Sequence, residues 1–366
     1  MNRVLDIILV DYNGMEDTRR CLDSMQPLVG ENVRVRVVDN GSQPPVAEEL
    51  QAAYPWVETL RSETNTGWAG GNNQAIEAAL ASGANYVLLL NNDTVVSPLF
   101  VERMLAAADN APDYGILGCV VCYLDEPDVV NMDGCIFDDP EDAGFFRRQC
   151  IPQVEASPPQ VVATEIVFGC CMLIRADVFR RIGLIDEKFF LIHEESDFCL
   201  RARSAGFQLG IVSEVLVWHK GSSSFQREGR PLQRYFDSRN LMLLLRKHYG
   251  LLRRRKRWAA VWMKYFRHVY YMYCVQRDLG QTETADAVLS GCVDGLFRRY
   301  GPMQERRRLL VPLLGWLIHL KAGRGTAGGQ PSGAGLPQAT SDKQASDDSE
   351  SSGSTQYVSA DGTVGS

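Results

Sequence analysis

Three times in the first hundred residues an apolar stretch breaks off into short polar residues. Residues 6–10 (Asp-Ile-Ile-Leu-Val) run into Asp11-Tyr12-Asn13-Gly14, residues 33–38 (Val-Arg-Val-Arg-Val-Val) into Asp39-Asn40-Gly41-Ser42, and residues 86–90 (Tyr-Val-Leu-Leu-Leu) into Asn91-Asn92-Asp93. The unbroken runs predict strands buried on both faces, and the alternating one predicts a strand with two different faces. Helical spacing follows over residues 15–25, and an Ala-rich helix is expected over 74–81. Strand, polar turn and helix in repetition predict an α/β fold with a mostly parallel central sheet flanked by helices. In open sheets of this kind ligands bind beyond the carboxyl ends of the strands. The polar turns are therefore the first candidates for chemistry, although Asn, Asp and Gly also build ordinary turns.

The residues in these turns suggest a particular chemistry. Asn91-Asn92-Asp93 sets one carboxylate beside two amides, a donor set suited to a hard divalent cation and to diphosphate oxygens. Asp39 could accept from a ribose hydroxyl or a base N–H. Asn65-Thr66-Gly67-Trp68-Ala69-Gly70-Gly71-Asn72-Asn73 reads as a loop that lets backbone approach a ligand before a helix N-terminus. It carries neither Gly-Lys-Ser/Thr nor Gly-x-Gly-x-x-Gly, so it is neither a Walker loop nor a dinucleotide fingerprint. Further on, Phe189-Phe190-Leu191-Ile192 leads into Glu194, Glu195 and Asp197. Carboxylates this crowded raise at least one pKa, which suits a general base. The same residues also read as the acidic start of a helix opened by Ser196-Asp197, with Arg201 and Arg203 as partners downstream.

In this order, Val-Asp-Tyr-Asn-Gly, Val-Val-Asp-Asn-Gly-Ser, Asn-Thr-Gly-Trp-Ala-Gly-Gly-Asn-Asn, Leu-Asn-Asn-Asp, Gly-Cys-Cys-Met-Leu-Ile-Arg and Glu-Glu-Ser-Asp-Phe-Cys-Leu-Arg resemble the family 2 glycosyltransferases of GT-A fold. The similarity is greatest to the rhamnosyltransferase-type branch, and it runs from about residue 5 to about residue 249. It implies a nucleoside-diphosphate-sugar donor held by Val10, Tyr12, Asn13, Asp39, Asn65, Gly67, Asn73, Asn91, Asn92 and Arg239. A Mg2+ or Mn2+ ion is implied at Asp93 and His219, and Glu195 is implied as the catalytic base, with Glu194 and Asp197 left open for that role. The implied reaction is transfer of a sugar, L-rhamnose in that branch, with inversion, to a hydroxyl of a lipid-linked or polysaccharide acceptor in cell-envelope glycan synthesis. Asn91 departs from the first Asp of the family's Asp-x-Asp motif, Glu195 stands where an Asp base is expected, and Asp11 replaces a frequent Thr or Pro. A nucleotidyltransferase is the competing enzyme reading, but Asp11-Tyr12-Asn13-Gly14 offers no Lys or Arg to a triphosphate. A catalytically inactive nucleotide-sugar binding or scaffold module would suit an apolar residue at the base position, where Glu195 stands.

The 366 residues leave room for a catalytic domain over 1–249, a basic helical extension over 250–321 and a low-complexity tail over 322–366. Net charge is -7 with an acidic catalytic part, and no nucleic-acid partner is expected. The 10 cysteines are scattered; Cys119 and Cys122 fall within an apolar run and read as core rather than zinc ligands. No signal-like apolar segment precedes the first strand, so a reducing cytoplasm is the expected compartment. The extension sets residues 253–257, Lys264, Arg267, Arg298, Arg299 and residues 306–308 beside Trp258, Trp262, Tyr265, Phe266, Tyr270 and Tyr271. The apolar stretch 309–320 is too short for a bilayer span of roughly 20 residues. This region is expected either to lie on the anionic inner face of the membrane or to pack on the catalytic domain or a second copy in a homo-oligomer. The Gly-, Ser- and Asp-rich tail is expected to be disordered.

Overall fold

The computed structural model describes residues 3–137, 145–221, 230–248 and 255–304. The expected boundary at 249, residues 253 and 254, the cluster 306–308 with the apolar stretch 309–320, and the tail 322–366 lie outside the described residues. In chain order the strands are β1 (Leu5–Asp11), β2 (Val33–Asn40), β3 (Val57–Ser62), β4 (Tyr86–Leu90), β5 (Thr94–Val96), β6 (Tyr114–Tyr123), β7 (Val130–Met132), β8 (Cys135–Ile136), β9 (Arg147–Arg148), β10 (Val161–Thr164), β11 (Cys171–Arg175) and β12 (Gln208–His219). The helices are α1 (Met15–Met25), α2 (Ala47–Ala53), α3 (Gly67–Ala81), α4 (Phe100–Asn110), α5 (Ala176–Ile182), α6 (Glu194–Ser204), α7 (Arg230–His248), α8 (Arg255–Asp278) and α9 (Thr282–Leu296).

The main sheet runs β10-β12-β6-β11-β4-β1-β2-β3, with β5 paired to β12 and β7 to β6. Strands β3, β2, β1 and β4 are parallel, and β11 lies antiparallel between β4 and β6. Strands β6 and β12 resume the first direction. The period-2 alternation of side chains sorts the apolar residues into two cores, one on each face. Ile7, Leu9, Val35, Val37, Leu88 and Leu90 join α1, α2 and α4 on one face. Ile8, Val38, Val87 and Leu89 join α3, α5 and α6 on the other. This arrangement explains why β4 is apolar at every position: both of its faces are covered.

Two expected helix starts differ from the observed ones. Helix α3 begins at Gly67, not near residue 74, so Gly70 and Gly71 lie inside it. They permit close packing: a Cβ on Gly71 would stand 2.8 Å from Val10 Cγ1, and one on Gly70 2.7 Å from Thr66 Cβ. Helix α6 opens at Glu194, two residues before Ser196, with His193 as its left-handed N-cap (φ 71°). Its acidic first turn faces the positive end of the helix dipole.

Helices α7, α8 and α9 share a core built on Leu241, Met242, Leu245, Tyr265, Val288 and Leu289. Among the described residues no helix is long and apolar enough to cross a membrane.

Candidate active site

The carboxyl ends of β1 and β4, the start of α3 and the start of α6 surround a cavity of about 290 Å³. Val10 and Tyr12 enter it from β1, Asn65, Gly67 and Trp68 from the α3 turn, and Asn91, Asn92 and Asp93 from the end of β4. His219 closes one wall, and Glu194 and Glu195 face it from α6. Antiparallel pairing of β11 with β4 sets Gly169 and Cys170 alongside, where the Cys170 carbonyl accepts from the Asn91 N–H at 3.0 Å.

Several polar groups at the rim are held in place by hydrogen bonds. Asp11 is fully buried, and its carboxylate accepts from Ser42 Oγ (3.0 Å), Gly14 N–H (3.3 Å), Thr18 Oγ1 and Asn92 Nδ2 (3.4 Å). It thereby fastens the end of β1 to α1, to the β2 turn and to Asn92; a Thr or Pro there could not accept four donors. Trp68 Nε1 donates to Asn91 Oδ1 at 3.2 Å. Asn40 takes the Thr66 N–H at 3.0 Å and donates to Asn65 Oδ1 at 3.2 Å, bracing the α3 turn. Trp68 and Asn40 lie within the quoted motifs, but nothing in the string of letters separates them from their neighbours as cavity-shaping residues.

Asp93 and His219 come together because β5 pairs antiparallel with β12, Thr94 opposite His219. His219 Nε2 lies 3.1 Å from Asp93 Oδ1 and 3.4 Å from Asn91 Nδ2, and both the ring and the carboxylate are nearly buried. Among the described residues no three His, Cys, Asp or Glu side chains form a metal cage. The Asp93–His219 pair could offer two donors to a divalent ion and leave its other coordination positions to ligand oxygens.

The three crowded acids separate. Glu194 is buried at the cavity wall with Oε2 lacking a hydrogen-bond partner among the described residues. Burial, and then the adjacent Glu195 carboxylate, push its pKa well above the ordinary carboxylate range. Glu195 also faces the cavity, half-buried, with Ser196 Oγ donating to it at 3.2 Å. Asp197 faces away. It pairs with Arg201 (2.8 Å), Lys247 (2.8 Å) and His248 (2.9 Å) behind α6. Burial alone would raise its pKa, but the hydrogen bonds from His248 and Lys247 and the charge of Arg201 outweigh it and hold the carboxyl at about 2, against an ordinary 3.8.

This depression has a consequence for stability. The Asp197 contribution, about 2 kcal/mol, is present above the unfolded-state value of 3.8 and is lost as pH falls toward 2. Asp197→Asn should therefore be less stable than wild type in urea at neutral pH, and the gap should close on acidification through that window.

Four other expected donor residues also stand off the cavity lining. Asp39 is buried with its carboxylate accepting from Ser42 N–H (2.9 Å), Val46 N–H (2.9 Å) and Arg61. Burial opposes ionisation there, but those backbone hydrogen bonds and Arg61 prevail and lower its pKa. Asn13, with φ 53°, accepts from the Gln43 N–H at 2.8 Å and shapes the turn behind Tyr12. Asn73 exchanges hydrogen bonds with the Ile185 backbone at 2.9 and 3.1 Å. Arg239 is fully buried on α7 and donates to main-chain carbonyls, as described further below.

Fold and cavity together are those of an α/β enzyme with its site at the carboxyl edge of the sheet. The sequence model of Glycosyl transferase family 2 matches residues 6–183, so the chain carries a domain of that family there and is a glycosyltransferase. The chain is 29% identical over 245 residues to the low-salt glycan biosynthesis hexosyltransferase Agl10 of Haloferax volcanii, covering 65% of this chain and 74% of that one. It is 24% identical to the dTDP-rhamnosyl transferase RfbF of Shigella flexneri, covering 68% and 82%. To the N-acetylglucosaminyl-diphospho-decaprenol L-rhamnosyltransferase of Mycobacterium tuberculosis it is 25% identical, covering 71% and 90%. Among solved structures, S. aureus TarS 1-349 in complex with UDP-GlcNAc aligns over 80% of both chains with a TM-score of 0.51 and 15% identity. GalNAc-T7, solved with UDP, GalNAc and Mn2+, aligns over 66% of this chain and 47% of its own with a TM-score of 0.52 and 13% identity. These structures share the GT-A fold with this chain.

Proposed function

We propose that this glycosyltransferase inverts the anomeric carbon of a nucleoside-diphosphate sugar as it passes the sugar to an acceptor hydroxyl, with Glu195 as the base. The observation that carries this reading is the single cavity shared by Glu195, Tyr12, the 91–93 turn and His219. The acceptor oxygen attacks the anomeric carbon, the bond from that carbon to the diphosphate oxygen breaks with its electron pair, and Glu195 takes the hydroxyl proton. Burial and its neighbour push Glu194 toward the protonated form, which disfavours it as the proton acceptor and lets it donate to a sugar hydroxyl. Asp197 is engaged by Arg201, Lys247 and His248 and serves the fold. Asp93 and His219 would hold a Mg2+ or Mn2+ ion, which supplies positive charge to the departing diphosphate. Tyr12, Asn65 and Asn91 line the side where the nucleoside and its phosphates fit.

The donor we favour is dTDP-L-rhamnose, with a lipid-linked or polysaccharide acceptor, because two of the relatives are rhamnosyltransferases and one of them acts on a diphospho-decaprenol acceptor by name. A screen of sugar nucleotides for turnover and thermal stabilisation tests it. Preference for a different sugar would discard the rhamnosyl assignment. No turnover with any donor, despite stabilisation by one, would favour the inactive binding module.

An acceptor in a membrane calls for access to its surface, and α8 offers a suitable face. Met263, Phe266, Arg267, Tyr270 and Tyr271 recur at helical spacing and are exposed, Met263 by 64% and Tyr271 by 54%. Apolar side chains with a cation among them suit the interface of an anionic leaflet, where each basic residue contributes about 1 kcal/mol. The protein should pellet with anionic vesicles at low salt and release at high salt. Phe266→Ser with Tyr270→Ser should weaken pelleting and leave donor binding intact. Loss of a dimer in that variant, with no vesicle binding by wild type, would assign the face to self-association.

A further inference from the structure

The backbone that leads into Glu194 and Glu195 follows a costly path. Phe190, Ile192 and His193 have φ of 66°, 68° and 71°. Left-handed backbone costs of order 1–3 kcal/mol for a residue with a side chain, and it is worst for a β-branched one such as Ile192. Such a path persists only where its surroundings hold it.

Two adjacent residues of α7 do the holding. Asn240 Nδ2 shares its hydrogens among the carbonyls of Phe189 (2.8 Å), Leu191 (2.6 Å) and Ile192 (2.8 Å). Arg239 Nη2 donates to the carbonyls of Phe189 (2.8 Å) and Lys188 (3.3 Å), and Nη1 donates to that of Gly301. Arg239 Nε donates to Asn240 Oδ1 at 2.8 Å, which fixes the orientation of the amide. Both side chains are fully buried, and the guanidinium lies over the Phe236 ring at 4.7 Å. The opposite side of the segment rests on α3: a Cβ on Gly67 would stand 2.3 Å from the Phe190 oxygen. A pair meant only to fasten α7 could spend its donors anywhere. Besides the Gly301 contact, the internal link and a hydrogen bond between Arg239 and Tyr235, five donor contacts of the pair go to carbonyls of residues 188–192, directly before Glu194.

We propose that Arg239 and Asn240 are positioning residues for sugar transfer: they hold residues 188–193 in the left-handed path that sets Glu194 and Glu195 at the cavity wall. They touch neither donor nor acceptor. The size of the catalytic effect rests on the reading of Glu195 as base; the clamp itself does not.

The test compares wild type with Asn240→Asp, nearly equal in size but with an acceptor facing the three carbonyls, and with Arg239→Lys, which keeps charge and loses the fork. Donor KM, kcat, melting temperature and amide hydrogen exchange over residues 188–195 are measured on the full chain. Asn240→Asp should lose about 10- to 100-fold in kcat, since small misplacements of reacting groups have effects of that size. Donor KM should stay unchanged and exchange over 188–195 should rise, with Arg239→Lys intermediate. If Asn240→Asp does not fold, Arg239→Lys carries the same comparison. Wild-type kcat well below the melting temperature, or a loss that appears only in donor KM, would overturn the proposal. Glu195→Gln run alongside separates the two readings. Full activity there with loss in Asn240→Asp removes the base assignment and leaves the clamp standing.

Discussion

Glu195→Gln is expected to bind the sugar nucleotide like wild type and to lose transfer by about two to four orders of magnitude, the usual contribution of a positioned general base. The substitution keeps size and polarity and removes the ability to accept a proton, so kcat should fall with little change in donor affinity. Glu194→Gln should behave differently. Its carboxyl is already pushed toward the protonated form by burial, and an amide still donates a hydrogen bond. A loss of about 10-fold or less is expected for it. Asp197→Asn should be less stable yet near-normal in turnover at temperatures where it is folded. Normal turnover in Glu195→Gln with the larger loss in Glu194→Gln would exchange the roles of the two glutamates. The largest loss in Asp197→Asn, in a folded protein, would return the base to a residue paired with Arg201, Lys247 and His248.

The order of these expectations follows from what a sequence can and cannot express. Strands β1 and β4 were legible because both of their faces are covered, which leaves β4 apolar throughout and β1 apolar from Ile7 to Val10. The polar turns after them were legible as a site because the edge of such a sheet concentrates ligand contacts. The start of α3 was not, since glycines that let a helix pack on Val10 look the same in sequence as glycines that admit a ligand. The split among Glu194, Glu195 and Asp197 was hidden as well. Residues 195 and 197 sit about 200° apart around a helix, so one faces the cavity and the other faces α7. That only becomes certain once α6 is seen to open at Glu194. Arg239 carried a motif but no address, because its partners are main-chain carbonyls, which no pattern of side chains reveals.

Asp93→Ala is expected to abolish most transfer, by at least about 100-fold, the effect of removing one electrostatic stabiliser of a departing charge. Affinity for the nucleoside diphosphate should fall far more than affinity for the nucleoside alone. The reason lies in the pairing of β5 with β12, which sets His219 Nε2 3.1 Å from Asp93 Oδ1 at the cavity wall. His219 Nδ1 is buried with no hydrogen-bond partner among the described residues, so no acceptor there fixes which ring nitrogen carries the proton. With an ion between them, the Nε2 lone pair would face the metal and Nδ1 would carry the proton. A readout independent of turnover is thermal stabilisation by nucleoside diphosphate. Ligand at 100 times its Kd stabilises by about 2.7 kcal/mol, and that stabilisation should need Mg2+ or Mn2+ in wild type. It should be small with or without metal in Asp93→Ala, and intermediate in His219→Gln. Full stabilisation and full activity in excess EDTA would remove the metal from the reaction. Compensation of the diphosphate would then fall to His219 and to Lys220, which lies next in sequence and pairs with Asp17 at 2.9 Å.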